Sequence, residues 1–467
     1  MQFLKKIFIY FTGTVFHKLI IFILLPVYTR HLSPSSYGDA DLAITTVTML
    51  VSLLFMEVWT PLLRFSYDSK EIEDKKKIYC NVVIVALFCL PLYFAGCIFM
   101  AVWQNLPYMV WMIVYGLSLL IMHILQFEVR AIGKSQDFMI SGMISSVLQL
   151  IISFVCIYGF NVGAEIVIIS PAVSNIIASL YLELKYKLAF VVKKANFSMD
   201  IVKRIVKYAI PLAVNAVAFW AMTNINRYFS REYLGTDANG YIALATKFIA
   251  LVNTLVQIYS LAWQESAYEH SNSSQRCKYY SKMLIMYLDI MSVGTALAII
   301  GTNIVFPFFI GKDYEATQLI LPIYYISAFA SAVSNFYGHI FNSEKKTGIL
   351  LYSTILGAII NILMLYFTIT KWGIYAVPIS LVLGYCVNVG MRIFSISFTV
   401  KMKIKPLNLL IDLIFIAASA VLIYAKAPLI IKAVLIGAAL MYLVLMYKKH
   451  IYEVINKIMK RGNKSGC

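Results

Sequence analysis

The sequence predicts an all-α integral membrane protein with fourteen transmembrane helices: two pseudo-symmetric six-helix lobes, then two C-terminal helices. The 467 residues are 61% apolar and only 13% charged, whereas roughly 25% of the residues of a typical soluble domain are charged. The mean hydropathy of +0.79 describes the whole chain, so its apolar residues exceed what one core beneath a polar surface can hold. This composition excludes a soluble enzyme, a secreted disulfide-linked domain and a disordered chain.

The predicted spans are helices, because about 20 apolar residues in a helix cross the roughly 30 Å of membrane hydrocarbon. The runs are too long for the strands of a membrane barrel and lack period-two alternation. The predicted spans cover residues 7–29, 40–63, 78–102, 107–127, 138–160, 164–184, 206–228, 240–264, 283–308, 318–340, 347–369, 374–398, 407–425 and 428–447.

Basic residues indicate the orientation of these spans. Most of the 40 Lys and Arg residues lie in the two tails and the even-numbered links. Loops rich in Lys and Arg remain on the cytoplasmic side, so both termini are predicted to be cytoplasmic. Orientation therefore explains the net charge of +18 better than nucleic-acid binding does. The odd-numbered links hold only Arg30, Arg231, Lys312, Lys371 and Lys426.

A short internal sequence repeat, termed the echo, indicates that the chain contains two lobes. LSPSSYGDADLA at 32–43 shares four identities with LGTDANGYIALA at 234–245, an offset of 202. Both segments lead from an outer loop into a helix, which indicates a parallel repeat about an axis along the membrane normal. The basic loop from Lys185 to Lys207 separates six spans from eight. We predict an N-terminal six-helix lobe at 1–190, a C-terminal six-helix lobe at 191–400, and two further helices with a basic tail at 401–467.

Charged residues inside the spans are the candidate site, because each costs roughly 2.5–3.5 kcal/mol at mid-membrane unless it faces a cavity or a partner. At about 100° per residue, Asp39, Thr46, Glu57 and Arg64 share one face of the second span. Snorkelling is the alternative for Lys18 and Lys247, and interfacial anchoring for Arg64. The residues predicted to line a cationic cavity are Lys18 with its neighbour His17, Arg227, Lys247 and Arg64.

The remaining motifs narrow the function class. Glu57 and Asp289 lie about six residues from the inner face, where each either pairs with a cation or titrates to couple an H⁺ or Na⁺ gradient. Seven Cys without CxxC predict neither disulfides nor a metal site. The absence of GxxxxGK[ST] and of long soluble links argues against an enzyme and against any cofactor. Transport of a solute is the function class that remains. The Lys and Arg residues predicted to line the cavity favour an anionic substrate.

Several fragments in a fixed order resemble the polysaccharide-exporter branch of the MATE-like flippase superfamily, the Wzx-type O-antigen and capsule flippases. The resemblance covers nearly the whole chain. It departs at Asn226-Arg227, where many relatives carry an Asp-Arg pair, and at Tyr375, where a small residue is common. The fragments are Leu25-Pro26 to Arg30 and Leu32, Tyr37-Gly38, Leu63-Arg64, Arg130 to Lys134, Ile210-Pro211-Leu212, Leu234-Gly235, Asn239-Gly240-Tyr241 with Ala245 and Lys247, and Lys345-Lys346-Thr347.

The resemblance implies alternating access through a V-shaped cavity between two bundles. It implies transport of polyprenyl-diphosphate-linked oligosaccharide from the inner to the outer leaflet of the bacterial cytoplasmic membrane. By position, Lys18 and Lys247 would hold the diphosphate. The implied partners are this lipid, the bilayer, a polysaccharide polymerase and a chain-length regulator, with no nucleic acid. The alternatives are a peptidoglycan lipid-precursor flippase, a multidrug or ion antiporter of the same superfamily, a membrane glycosyltransferase or polymerase, and a structural scaffold.

Overall fold

The computed structural model describes residues 2–68, 71–193, 196–270, 274–344, 346–398, 400, 402 and 406–462. This part of the chain is helical and contains no β-strand, which confirms the predicted all-α class. Its helices are α1 (Gln2–His31), α2 (Pro34–Leu54), α3 (Trp59–Asp68), α4 (Ile72–Trp103), α5 (Met109–Ala131), α6 (Ser135–Phe160), α7 (Ile166–Tyr186), α8 (Met199–Leu234), α9 (Thr236–His270), α10 (Arg276–Phe309), α11 (Glu315–Ser343), α12 (Thr347–Trp372), α13 (Ala376–Ser397), α14 (Pro406–Tyr424) and α15 (Leu429–Gly462).

Eleven segments of the described chain are long and apolar enough to cross a membrane, so the protein is a multi-pass membrane protein. One segment, Gly348–Ser397, covers both α12 and α13. Every predicted span contains a helix, and the second contains two. The count of fourteen crossings and the cytoplasmic position of the termini stay predictions.

The second predicted span is interrupted, so the prediction of one polar face along it is wrong. Helix α2 ends at Leu54, and α3 begins at Trp59. Met56 and Glu57 between them have φ angles of 53° and 49°, a left-handed conformation that ends a helix. The helical rotation of about 100° per residue is interrupted at this break. Glu57 and Arg64 therefore do not share a helical face with the polar residues of α2.

The described chain forms two compact units. The predicted lobe boundaries at 190 and 400 stay predictions. In unit 1, α7 packs against α5 and α6, α1 packs against α6, and α2 contacts α4, α5, α7 and α8. Unit 1 comprises Met1–Leu255, Phe309–Thr317 and Asn361–Val377, and unit 2 comprises Val256–Phe308, Gln318–Ile360 and Pro378–Cys467.

Small hydroxyl residues allow the helices of unit 1 to approach closely. The Tyr28 hydroxyl of α1 hydrogen-bonds to Ser153 Oγ of α6 at 2.7 Å. Ser145 Oγ of α6 donates to Asn175 Oδ1 of α7 at 2.8 Å. In a membrane, small residues and interhelical hydrogen bonds replace the hydrophobic effect as the cause of helix association. These contacts hold α1, α6 and α7 together beside the polar interior of the unit.

Unit 2 has an aromatic core. The rings of Trp263 and Phe336 stack with centroids 4.4 Å apart, and the Trp263 indole donates to the Phe336 carbonyl oxygen at 3.1 Å. The Tyr287 hydroxyl donates to the Ala332 carbonyl oxygen, also at 3.1 Å. Buried Trp and Tyr side chains need such partners for their polar atoms. The core therefore fixes the second half of α9 against α10 and α11.

The outer faces of both units are apolar. Phe88 on α4 is 80% exposed and Phe308 on α10 is 79% exposed, and only 6% of the apolar window of α15 is buried. A soluble monomer rarely exposes apolar patches of this extent. Lipid chains are the solvent that suits these faces, in agreement with the membrane location.

Candidate functional site

Helices α2, α8 and α9 of unit 1 bring one acid and two bases together inside the membrane. This charged cluster consists of Asp41, Arg227 and Lys247. Lys247 Nζ lies 2.7 Å from Asp41 Oδ1, and the Arg227 guanidinium forms an ion pair with Asp41 Oδ2. Asp41 is 1% exposed and Arg227 is 5% exposed. Two bases therefore share one carboxylate.

Two threonines orient the guanidinium of Arg227. Its Nη1 donates to Thr45 Oγ1 at 2.9 Å, and its Nη2 donates to Thr246 Oγ1 at 2.8 Å. Thr45 follows Asp41 by one turn of α2, and Thr246 precedes Lys247 on α9. The planar fork of an arginine suits such fixed partners, whereas a lysine is a point charge on a flexible stem. Lys247, at 27% exposed, is therefore the more accessible base.

A cavity of about 190 Å³ adjoins the charged cluster. Asp41 and Lys247 both line it, so the cluster faces an internal space rather than lipid. At roughly 30 Å³ per water molecule, a volume of this size corresponds to about six waters. Most of its lining is apolar, and Asp41 and Lys247 are its charged groups. Its other polar lining residues are Tyr28, Tyr37, Tyr115, Ser145, Gln149 and Asn175.

Lys18 adds positive charge near the same cluster. Its side chain on α1 is half-buried, and it lies close enough to Lys247 for the two charges to repel each other. Unit 1 thus places three of the predicted cavity cations, Lys18, Arg227 and Lys247, in one electrostatic neighbourhood. Their role in substrate binding stays a prediction.

The other predicted site residues lie elsewhere. Arg64 is exposed on α3 and does not line the cavity, and Glu57 is half-buried in the break between α2 and α3. Asp289 is fully buried in unit 2. The side chain of His17 lies outside the described residues. None of these placements tests the predicted roles in binding or ion coupling.

Asp41 is the member of the cluster that the sequence analysis missed. The departure at Asn226-Arg227 leaves no acid beside Arg227 in the sequence, but the fold supplies one from α2. An acid inside a predicted span requires a partner, and this rule could have singled out Asp41 as well as Asp39. Helical periodicity could not show this pairing, because the paired residues lie on three separate helices.

The two echo segments contact each other at the start of α2 and α9. Ser35 Oγ donates to Thr236 Oγ1, and Asn239 Nδ2 donates to the Gly38 carbonyl oxygen, both at 2.7 Å. A Cβ atom on Gly38 would lie 2.5 Å from the backbone nitrogen of Gly240. Only glycine allows so close an approach of two backbones. Gly38 and Gly240 occupy equivalent positions of the echo, and a repeat whose copies meet would produce such a contact.

A second ion pair lies near this helix contact. Arg231 Nε lies 2.8 Å from Asp39 Oδ1, and Arg231 Nη1 donates to the Gln104 carbonyl oxygen at 2.5 Å. The side chains of Arg231 and Asp39 are 16% and 17% exposed. Within the described residues, no group of three or more His, Cys, Asp or Glu side chains is arranged to hold a metal. The polar interior of unit 1 thus contains ion pairs that join α2 to α8 and α9.

Comparison with known proteins agrees with this fold. The model of the family described as "Polysaccharide biosynthesis protein" matches residues 3–264, which include α1 to α8, most of α9 and the whole charged cluster. A search of curated protein sequences finds no match.

Solved structures share the fold over most of the chain. The lipid II flippase MurJ in an inward closed conformation has a TM-score of 0.68 at 14% identity, covering 95% of this chain and 100% of that one. An inward-facing multidrug resistance MATE family transporter of the MOP superfamily has a TM-score of 0.64 at 14% identity, covering 87% and 95%. A MOP superfamily transporter from Pyrococcus furiosus has a TM-score of 0.56 at 13% identity, covering 89% and 96%. The resemblance predicted from the ordered fragments is confirmed.

Proposed function

Because the chain belongs to the polysaccharide biosynthesis protein family, we propose that it is a flippase for polyprenyl-diphosphate-linked oligosaccharides. It moves them from the inner to the outer leaflet of the bacterial cytoplasmic membrane for the synthesis of O-antigen, capsule or exopolysaccharide. The observation that carries the proposal is the charged cluster beside a cavity inside a multi-pass membrane fold. A polysaccharide polymerase and a chain-length regulator are the partners that this role requires.

The physical task of such a flippase is to move a charged head group past hydrocarbon. The polyprenol chain can stay in the lipid phase throughout, whereas the sugars and the diphosphate need a polar path with compensating cations. Lys18 and Lys247 are half-buried, and each presents a point charge that suits phosphate oxygens. We assign the diphosphate to these two lysines.

Arg227 and Asp41 have a different role in this mechanism. Arg227 is held by Asp41, Thr45 and Thr246, and it therefore fixes α2 relative to α9 around the lysine. The Asp41 carboxylate neutralises Lys247 when no phosphate is present. An incoming diphosphate competes with Asp41 for Lys247, so binding exchanges one anionic partner of the lysine for another.

The energy for net transport comes from an ion gradient or from consumption of the product outside, since the sequence carries no P-loop motif. Glu57 and Asp289 remain the proposed residues for H⁺ or Na⁺ coupling. Glu57 lies where the second span breaks, a position at which a charge change could alter the angle between α2 and α3.

Complementation tests the proposal. In a strain that lacks its own flippase and makes the matching lipid-linked repeat unit, Lys18→Ala and Lys247→Ala should abolish surface polysaccharide at unchanged protein levels. Lys371→Ala is the matched control, because Lys371 is an exposed lysine at the end of α12. Full rescue by both cavity variants would remove these lysines from the site.

A peptidoglycan lipid-precursor flippase is the second candidate. The lipid II flippase MurJ aligns with nearly all of this chain, and lipid II shares the polyprenyl diphosphate but differs in its sugars. Rescue of a strain depleted of its lipid II flippase, without rescue of surface polysaccharide, would favour this second function over the first.

A further inference from the structure

Unit 2 contains two carboxyl groups in contact, and neither of them belongs to the charged cluster of unit 1. Asp289 on α10 and Asp412 on α14 are 0% and 1% exposed, and they lie within hydrogen-bonding reach of each other. Buried carboxylates in proteins are usually paired with a cation. In the described residues, no Lys, Arg or His forms an ion pair with either one.

Hydroxyl groups surround this carboxyl pair. Tyr442 and Tyr447 of α15 donate to the two oxygens of Asp289, at 3.1 and 2.5 Å. Ser292 of α10 donates to Asp412 Oδ1 at 2.6 Å. The two tyrosines are the titratable groups that face the pair from α15, and each carboxyl faces the other across α10 and α14. Three helices therefore contribute to one enclosed acidic site.

One oxygen of the site has no donor. Asp412 Oδ2 is buried and accepts no hydrogen bond from any described residue, although a buried acceptor without a donor is costly. Two negative charges in contact in a low-dielectric interior are also strongly unfavourable, and such pairs keep one proton between them. A proton on Asp412 would remove one charge and let this acid donate a hydrogen bond to Asp289.

We propose that Asp289 and Asp412 form a proton-binding site, in which one proton is shared by the two carboxyl groups and joins α14 to α10. By the predicted topology, both residues lie in the cytoplasmic halves of their helices, so the proton exchanges with the cytoplasmic side. This site deepens the coupling role proposed above for Asp289, but a proton can bind here whether or not the chain moves a lipid-linked oligosaccharide.

The proposal has a structural consequence for the last two helices. Loss of the shared proton at alkaline pH leaves two carboxylates in contact, and their repulsion weakens the attachment of α14 and α15 to α10. An asparagine in place of Asp412 mimics the protonated acid, because its amide can donate to Asp289 but cannot ionise. The Asp412→Asn variant should keep the attachment at every pH.

Infrared spectroscopy of the purified full-length protein tests the site directly. The wild-type spectrum at neutral pH should contain a C=O band of a buried protonated carboxyl group that shifts in D₂O. Asp289→Asn and Asp412→Asn should each remove or shift this band. Asp200→Asn, an exposed aspartate at the start of α8, should leave it unchanged. A wild-type spectrum without such a band would overturn the proposal. So would a band that neither Asp289→Asn nor Asp412→Asn changes.

Thermal unfolding in detergent as a function of pH gives a second, independent measurement. The unfolding temperature of the wild type and of Asp200→Asn should fall on the alkaline side, whereas that of Asp412→Asn should stay level over the same range. Equal pH dependence in Asp412→Asn and the wild type contradicts the proposal. So does loss of the carboxyl band on addition of Na⁺ at constant pH, which would identify a sodium site instead. Neither readout involves a substrate, so failure of the flippase function would leave these results interpretable.

Discussion

Asp41→Asn is the substitution that tests the charged cluster most sharply. It keeps the size of the side chain but removes the one carboxylate shared by Arg227 and Lys247. Arg227 is 5% exposed and is held in place by two threonines, so its charge cannot turn toward water. The substitution therefore leaves an arginine charge buried without its acid.

The expected loss in the free energy of unfolding follows from the burial of this ion pair. Removal of one member of a buried ion pair destabilises a protein by about 3–5 kcal/mol. Lys247 is 27% exposed and can be hydrated from the cavity, so we expect the lower end, about 3 kcal/mol. Asp39→Asn is the matched control, two residues earlier on the same helix. The Asp39–Arg231 pair is 16–17% exposed, and the loss should be about 1 kcal/mol, nearer that of a surface pair.

The assay is a double-mutant cycle on the free energy of unfolding in mixed micelles. Asp41→Asn, Arg227→Gln and the double variant should give a coupling free energy of at least about 1.5 kcal/mol, because the second substitution removes the charge that the first left unpaired. A coupling near zero, or equal losses for Asp41→Asn and Asp39→Asn, would refute the ion pair as a buried structural unit.

Two further predictions concern the helix contact and the topology. Gly38→Ala places a Cβ atom against the backbone of Gly240 and should destabilise the protein by about 1–3 kcal/mol. Gly294→Ala is the control and should not destabilise it, because a Cβ atom there would have no atom within 4 Å. Equal thermal stability of the two variants would contradict the close contact. In a cysteine-free background, a membrane-impermeant maleimide should label Lys371→Cys from outside intact cells and Lys193→Cys only after permeabilisation, and the reverse pattern would contradict the predicted orientation.

The fold class could be predicted because hydropathy acts on whole segments. Each predicted span contains a helix, since about 20 apolar residues in a membrane have few alternatives. The break at Met56 and Glu57 could not be predicted in the same way, because neither residue is a glycine or a proline and no local signal marks a left-handed conformation there. That break is the reason that the polar face predicted for the second span was wrong.

Part of the candidate site could also be predicted from the sequence. Lys18, Arg227 and Lys247 stand out because isolated cations inside apolar spans are costly, and all three lie in unit 1. Asp41 was missed because its importance depends on Arg227 and Lys247, two residues that come far later in the chain. Asp289 was predicted without its partner for the same reason, since Asp412 belongs to the distant helix α14. Pairing is a tertiary property, whereas periodicity reports only one helix at a time.

Transport of a labelled polyprenyl-diphosphate-linked oligosaccharide in proteoliposomes tests the central claim most directly. A charge-assisted hydrogen bond to phosphate contributes about 1.5–3 kcal/mol, so Lys247→Met should lower the rate of flipping about tenfold or more. Lys371→Met should flip the lipid at the wild-type rate. Equal rates for Lys247→Met and the wild type would contradict a cationic site for the diphosphate in unit 1.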